Sequence, residues 1–392
     1  MTSKRGHSEG AIDQRGENAF RLRYRVNGKR FSKTFHGTLT EARRELRCLL
    51  KSADDGMHIE PKRTLLADYL RDWLDSDTDL SPKTLERYRQ LTEQQIIPRL
   101  GKTPLQSLRP AEISEWHATL LRSGGAGGRS LSARTVGHAH RVLHRGLERA
   151  LSLELVARNV AHAIRPPKVA DVEVASLTAE QIAALLNALS APSPRRVGNS
   201  APEPHPLYPI AALALGTGMR RGEICALTWG HLNFDGAALR VERSLEETKD
   251  GLRFKTPKTK RGRRTISLPM NVIEILRGHQ RQQAEQRLVL GLGRAGPDDL
   301  VFARPDGSPL SPDNLSRDWR RALKRFDLPG FMFHALRHTS ASALIAAGLD
   351  VGAVSRRLGH ANPATTLRVY THQFAASDAE AAEAIERAMR KG

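Results

Sequence analysis

Aromatic residues make up only 5% of this 392-residue sequence, cysteine occurs twice, and acidic residues are outnumbered by basic ones, 42 to 62. No stretch approaches the roughly 20 apolar residues that a membrane-crossing helix needs, and the first residues lack the apolar run of a secretory signal. A cytoplasmic protein with no membrane partner is the expectation. Cys48 and Cys225 stand in neither a Cys-x-x-Cys nor a Cys/His ligand spacing, which argues for a reducing compartment and against a structural zinc. The shortage of acid leaves a formal net charge of +20. Such an excess concentrates polyanions around a protein, so nucleic acid is the first partner to consider.

The length predicts two to three domains at about 100 to 200 residues each. In the first, Phe20, Leu22, Tyr24 and Val26 alternate with Arg21, Arg23 and Arg25, the period of a half-buried strand. Asn27-Gly28 marks a hairpin turn, and the return strand carries Lys29, Arg30, Phe31, Lys33 and Phe35. A helix from about residue 40 to 50 places Ala42, Leu46 and Leu49 over the sheet. A β-ribbon fits the DNA major groove, where arginines reach phosphates and guanine edges, so Arg21, Arg23, Arg25, Lys29, Arg30 and Lys33 are candidate DNA contacts.

From about Pro61 to Pro167 the period is helical. Leu66, Tyr69, Leu70, Trp73 and Leu74 form one stripe, and Ser81-Pro82 opens a helix expected to end at Ile97-Pro98. A helix through Trp116 and Leu120, a glycine-rich loop at 123–128, and a helix carrying Val136, His140, Leu143 and Leu147 complete a bundle with both tryptophans in its core. A linker begins at Arg165-Pro166-Pro167, and Thr178-Ala179-Glu180-Gln181 forms a capping box for the next helix. Six prolines between Ala191 and Pro209 predict a surface loop. The expected domains are 1–57, 62–167 and 173–392, in a multidomain, mainly α fold with small β elements.

The chemistry concentrates in the third region. A helix over 210–215 is expected to break at Gly216-Thr217-Gly218 and resume through Glu223, which puts Arg220 near a helix start with Glu223 able to orient it. Arg221 is the neighbouring candidate, and the roughly 100° step per residue lets only one of the two share a face with Glu223. Two short strands, 239–241 and 265–268, bracket a basic loop that contains Lys258. His334 and Arg337 are three apart on a helix and therefore neighbours, whereas His338 and Thr339 are read as structural. His360 follows Leu358-Gly359, and Tyr370 lies beyond Thr365-Thr366. A free phenol titrates near 10 and is a poor nucleophile at neutral pH, so Tyr370 needs a cationic site. The four preceding elements offer one, and the whole reads as a phosphoryl-transfer site with Tyr370 as nucleophile.

In this order the residues resemble the tyrosine recombinase, or phage integrase, family: Arg220 with Glu223, a hairpin Lys258, His334 with Arg337, His360, and Tyr370. The resemblance implies an N-terminal three-stranded arm-binding domain, a helical SAM-like core-binding domain, and an α-rich catalytic domain with a small antiparallel sheet. It implies that Arg220, Arg337 and His360 hold a scissile DNA phosphate and that Tyr370 forms a 3′-phosphotyrosyl bond. His334 would assist the tyrosine proton, and Lys258 would protonate the departing 5′-oxygen. No cofactor and no divalent metal are expected, since arginines take the part a metal would have. The implied partners are double-stranded DNA at core and arm attachment sites, three further copies in a tetramer on DNA, and DNA-bending or directionality factors. The free chain would be a monomer or weak oligomer, and the host bacterial, with the protein at the nucleoid.

Ser377 to Glu380 repeats a capping box, and Ala379, Ala382, Ile385 and Met389 form a stripe expected to dock on a neighbouring copy. A type IB topoisomerase shares the chemistry, and a non-catalytic DNA-binding protein shares the charge. The N-terminal domain argues against the first, the filled catalytic positions against the second.

Overall fold

The computed structural model describes residues 10–26, 28–54, 60, 62–170, 176–192, 203–257, 260–328, 330–374, 386, 387, 389 and 390. The chain divides into two compact units, Met1–Ala170 and Asp171–Gly392.

The first unit contains two separate hydrophobic cores. Strands β1 (Ala11–Gly16), β2 (Ala19–Val26) and β3 (Lys29–His36) form an antiparallel sheet in that order, and α1 (Leu39–Asp54) follows. The alternation in β2 does what its period requires: Phe20, Leu22 and Tyr24 are buried with Ala42 and Leu46 of α1, while Arg21, Arg23 and Arg25 face out. Tyr24 pairs directly with Phe31 and their rings stack at 5.9 Å, a cross-strand contact that fixes register. Asn27 lies outside the described residues. Gly28 takes φ +81°, open to glycine at little cost.

The second core belongs to α2 (Leu66–Ser76), α3 (Pro82–Leu91), α4 (Ile97–Leu100), α5 (Pro110–Ser123) and α6 (Ala133–Ser152). The predicted stripe of α2 is buried throughout, and Trp73 and Trp116 are core residues. One boundary differs from expectation. The chain does not leave the helix at Ile97-Pro98, because a π-helical turn over Thr92–Ile96 precedes the proline and sets it in the first turn of α4. The wider π turn, in which the Ile97 N–H bonds back to Thr92 O, carries the helical path past a proline that has no N–H to give.

The second unit comprises α7 (Ala179–Ser190), α8 (Tyr208–Thr217), α9 (Arg221–Ile224), β4 (Leu232–Asn233), β5 (Ala238–Val241), β6 (Ser244–Thr248), β7 (Gly251–Lys255), β8 (Arg264–Ser267), α10 (Met270–Val289), α11 (Pro312–Arg325), α12 (Ala335–Ala346), α13 (Val351–Leu358) and α14 (Pro363–Phe374). Thr178 and Gln181 form the predicted capping box of α7. β4, β5 and β8 make one antiparallel sheet, and β6 pairs with β7 in a separate hairpin where a basic loop was expected. Leu245 does face Phe254, but the adjacent pair is Glu246 with Arg253, and Glu246 also binds Lys255, so the apolar alternation is too short to announce it.

α8 is apolar on almost every side and packs against α7, α10 and α12. It does not break at Gly216. The Thr217 hydroxyl returns to the Leu213 carbonyl at 2.5 Å, and the helix ends at Gly218, whose φ of +65° suits the residue that follows a helix. Among the described residues no helix is long and apolar enough to cross a membrane. The predicted loop at 191–209 and the C-terminal stripe after Ser377 lie largely outside the described residues.

The alanines of α8 let α12, which carries Arg337, approach closely. Replacing fully buried Ala214 with leucine is expected to overpack this contact and destabilise the protein by about 1–3 kcal/mol. A lower denaturant midpoint at unchanged slope checks it.

Candidate active site

The site is organised by the end of one helix. α13 starts at Asp350, whose carboxylate accepts from the Ala353 amide at 2.9 Å, and stops at Gly359 with φ +68°. The final carbonyls of a helix lack partners within it and carry the negative end of its dipole. Here three arginines supply the donors. Arg264 Nε, from β8, donates to Arg357 O at 2.7 Å; Arg337 Nη2, from α12, to Leu358 O at 2.8 Å; Arg220 Nη2, just before α9, to Gly359 O at 3.0 Å. Arg337 Nη1 also donates to Gly218 O at 2.5 Å. The two predicted arginines thus converge from sequence positions more than a hundred residues apart on neighbouring carbonyls.

Glu223 holds two of these guanidiniums. Its carboxylate accepts from Arg220 Nη1 at 2.8 Å and the Arg220 amide at 2.9 Å, and from Arg264 Nη2 at 2.9 Å and Nη1 at 3.2 Å. It is 4% exposed. Burial alone would raise its pKa, but hydrogen bonds and charge from Arg264, together with Arg220, hold it below the usual carboxylate range. Arg221 turns away to Ser316 and Asp313, which settles which arginine shares a face with Glu223.

Three guanidinium charges against one carboxylate leave an excess of two positive charges in a largely buried place. Burial, then Arg220, pulls the Arg337 pKa down to about 9, so it remains charged at neutral pH. Burial and the surrounding arginines pull His360 down to about 4 and lower His334 as well. His360 Nδ1 lies 2.7 Å from the hydroxyl of buried Thr366, which fixes the ring and leaves Nε2 as its other nitrogen.

Tyr370 lies in α14 at a kink, with φ −122° and ψ 16°. It is 2% exposed and packs with Ala341, Ile345, Val354 and Leu358. Burial pushes its pKa up to about 12 against the opposing pull of Arg337. Its hydroxyl lies 2.7 Å from Nδ1 of His338. That contact corrects the sequence reading of His338 as merely structural. His334 and His338 are four apart on α12, with ring centroids 4.8 Å apart in a T-shaped contact, and it is His338 that reaches the phenol. Thr339 keeps its structural part, bonding Ala335 O and the Leu177 amide.

Of the predicted site residues, Arg220, Glu223, His334, Arg337, His360 and Tyr370 come together, and Lys258 lies outside the described residues. Arg264 was given no part, Thr366 appeared only as a neighbour of Tyr370 in its motif, and His338 was read as structural. Arg264 had a readable signal: it lies two residues before Ile266 and four before Leu268 in an alternating strand, hence on the buried face.

On the N-terminal sheet the structure brings together Arg21, Arg23, Arg25 and Arg30 on the outer face, with Arg25 directly opposite Arg30. Lys29 and Lys33 do not join them. They pair with Val26 and Leu22 on the helix side, where Lys33 binds Glu45 at 2.6 Å. Directly paired residues share a face while successive ones alternate, so these two lysines cannot share the arginine row.

Residues 175–377 match the phage integrase family, and residues 65–121 match the N-terminal SAM-like domain of phage integrases. An integrase of Streptomyces ambofaciens is 29% identical over 394 residues, covering 95% of either chain. A XerC-like tyrosine recombinase of Caldanaerobacter subterraneus is 26% identical, covering 92% of each. Among solved structures, a Tn1549 transposon integrase in complex with transposon right end DNA superposes with a TM-score of 0.67 at 22% identity, over 82% of this chain and 99% of that one. A lambda integrase tetramer bound to a Holliday junction gives 0.56 at 21%, over 96% and 99%. The chain belongs to the phage integrase family. It is a tyrosine-type site-specific recombinase of the kind mobile elements encode.

Two measurements check the site. Arg264→Met leaves the buried Glu223 carboxylate short of a partner and is expected to destabilise the protein by about 3–5 kcal/mol, read by chemical denaturation. In the free protein the imidazoles of His338 and His360 are expected to titrate near 4, well below the ordinary 6.5. The unfolded chain then binds more protons between those values, so this contribution to stability is present above pH 6.5 and is lost as pH falls toward 4. NMR midpoints near 6.5 for both rings would contradict the burial.

Proposed function

We propose that the site cleaves and rejoins DNA strands through a phosphotyrosyl intermediate on Tyr370. The observation that carries this reading is the convergence of Arg220, Arg337 and His360 at the end of α13, next to the element that bears the phenol. A guanidinium has five N–H donors. Bonds to carbonyls, and for Arg220 also to Glu223, fix the two arginines while leaving donors for an anion. A phosphodiester entering here meets fixed positive charge where its own negative charge grows in the transition state, the arrangement in which donors accelerate a reaction most.

The phenolic oxygen of Tyr370 attacks the scissile phosphorus, a 3′-phosphotyrosyl bond forms, and the 5′-oxygen departs. Lys258 is the proposed acid for that oxygen, His334 a further phosphate contact, and His360 Nε2 a donor to a non-bridging oxygen. The covalent bond conserves the phosphodiester's energy, so another strand's 5′-hydroxyl can reverse the step without a nucleotide cofactor.

The outer sheet face is proposed to bind DNA at arm sites. Like charges directly opposite, as Arg25 and Arg30 are, repel each other in isolation, and phosphates between them would relieve that repulsion. Residues 62–167 would grip the core site and 173–392 carry out catalysis. The assembly proposed is a tetramer on two DNA sites, each C-terminal segment docked on a neighbour, in a bacterial cell at the nucleoid, with bending or directionality factors as further partners. The tetrameric lambda integrase complex supports that assembly.

A nicked suicide duplex spanning the junction of the element that encodes the chain is expected to trap a covalent adduct. Tyr370→Phe should abolish the adduct and keep DNA affinity within about twofold. Wild-type protein that binds this duplex and traps nothing would support a binding protein instead. Affinity should also fall by orders of magnitude between about 50 and 200 mM salt, because phosphate contacts release counterions. A flat response would exclude extensive backbone contact.

A further inference from the structure

The phenol of Tyr370 has a polar partner, and it is not the histidine that the sequence motif put forward. Nδ1 of His338 lies 2.7 Å from the phenolic oxygen, while the ring of His334 meets the ring of His338 edge-on at 4.8 Å. His338 is flanked by His334 and Arg337 on its own helix and by Tyr370 of α14, and His360, after α13, feels its charge. With a neutral phenol as donor, the lone pair of Nδ1 accepts, and the ring is the Nε2–H tautomer. A nucleophile is thus hydrogen-bonded to a neutral base within a cluster of cations.

We propose that His338 is the base that accepts the Tyr370 proton during strand cleavage and returns it during rejoining. The proposal rests on Tyr370 being the nucleophile. In the forward step the bond from phenolic oxygen to phosphorus forms as the O–H bond breaks, the proton passes to Nδ1, and His338 becomes an imidazolium. The bond from phosphorus to the 5′-oxygen breaks, and that oxygen takes its proton from the acid on the far side. In the reverse step the 5′-hydroxyl attacks and returns its proton to the deprotonated acid, the bond to tyrosine breaks, and Nδ1 hands its proton to the phenolate oxygen. Burial, and after it the charge of His334 and Arg337, disfavours protonation of His338 in the free protein. A DNA phosphate bound by Arg337 and Arg220 offsets the part due to charge, so the ring becomes a stronger base as substrate arrives. His334 then acts beside the phosphate, one ring removed from the proton.

The test measures the rate of covalent adduct formation by the full chain on two nicked duplexes. One carries the ordinary scissile phosphate and the other a sulfur in place of the bridging 5′-oxygen, a leaving group that needs no acid. His338→Ala is expected to slow both by about 100-fold or more, the scale of lost general-base catalysis, and added imidazole should restore part of each rate. His338→Asn, which keeps a polar atom near the position of Nδ1 but cannot take up the proton, should fold as wild type and remain slow. The proposal is overturned if His338→Ala cleaves within a few-fold of wild type, or if sulfur erases its defect, which would place His338 at the leaving group. It is equally overturned if His338→Asn restores the rate, since His338 would then only position the phenol. Wild type forming no adduct on either duplex would instead refute Tyr370 as nucleophile, and this proposal with it.

Discussion

The last carbonyls of α13 are where the catalytic unit is tied together. Arg264 from the sheet, Arg337 from α12 and Arg220 from the turn after α8 each donate to one of three successive carbonyls, those of residues 357, 358 and 359. Arg261 adds a fourth bond to Ala361 O at 3.0 Å. A helix end is a good anchor for cations because its unpaired carbonyls and its dipole act together. It is also a rigid one. Gly359 suits the left-handed turn that presents these carbonyls, and a side chain there would meet the Arg264 guanidinium at 2.8 Å.

That arrangement concentrates like charge. Glu223, bound to Arg220 and Arg264, compensates part of the repulsion. Burial first, and the neighbouring cations after it, hold His338 and His360 neutral and cost Arg337 part of its affinity for its proton. Burial of Tyr370 works the other way and keeps the phenol protonated. The free site is therefore at rest, with an uncharged nucleophile and uncharged histidines around an unneutralised cationic cluster. On the proposed function, a DNA phosphate would supply the missing negative charge, so that binding and activation would be one electrostatic event.

Much of this could be read in the sequence, and the failures share a cause. Alternation over residues 20–26, the stripe from Leu66 to Leu74 and the capping box at Thr178 are local patterns, and local physics sufficed for them. The arginines, His360 and Tyr370 were legible because the ordered motifs identify them even though their convergence is long-range. What escaped depends on partners distant in sequence or on register. Lys33 looked like one more base on an exposed strand until pairing with Leu22 put it beside Glu45. Arg264 was lost among neighbouring bases. His338 was set aside although its spacing from His334 already put the two on one helix face, and only the packing of α14 against α12 showed what it touches. The π-helical turn at Thr92–Ile96 has no period of its own in the sequence, and Pro98 alone suggested an ending that the backbone avoids.

The central claim is that the anion site is built before DNA arrives. A crystal structure of the full chain on its nicked junction duplex, with vanadate bridging Tyr370 and the DNA ends, tests it most directly. The account predicts Arg220, Arg337 and His360 within about 3 Å of the equatorial oxygens while the arginines keep their bonds to the carbonyls of Leu358 and Gly359. Arginines that abandon the end of α13 to reach the vanadate, or a vanadate seated away from them, would contradict it.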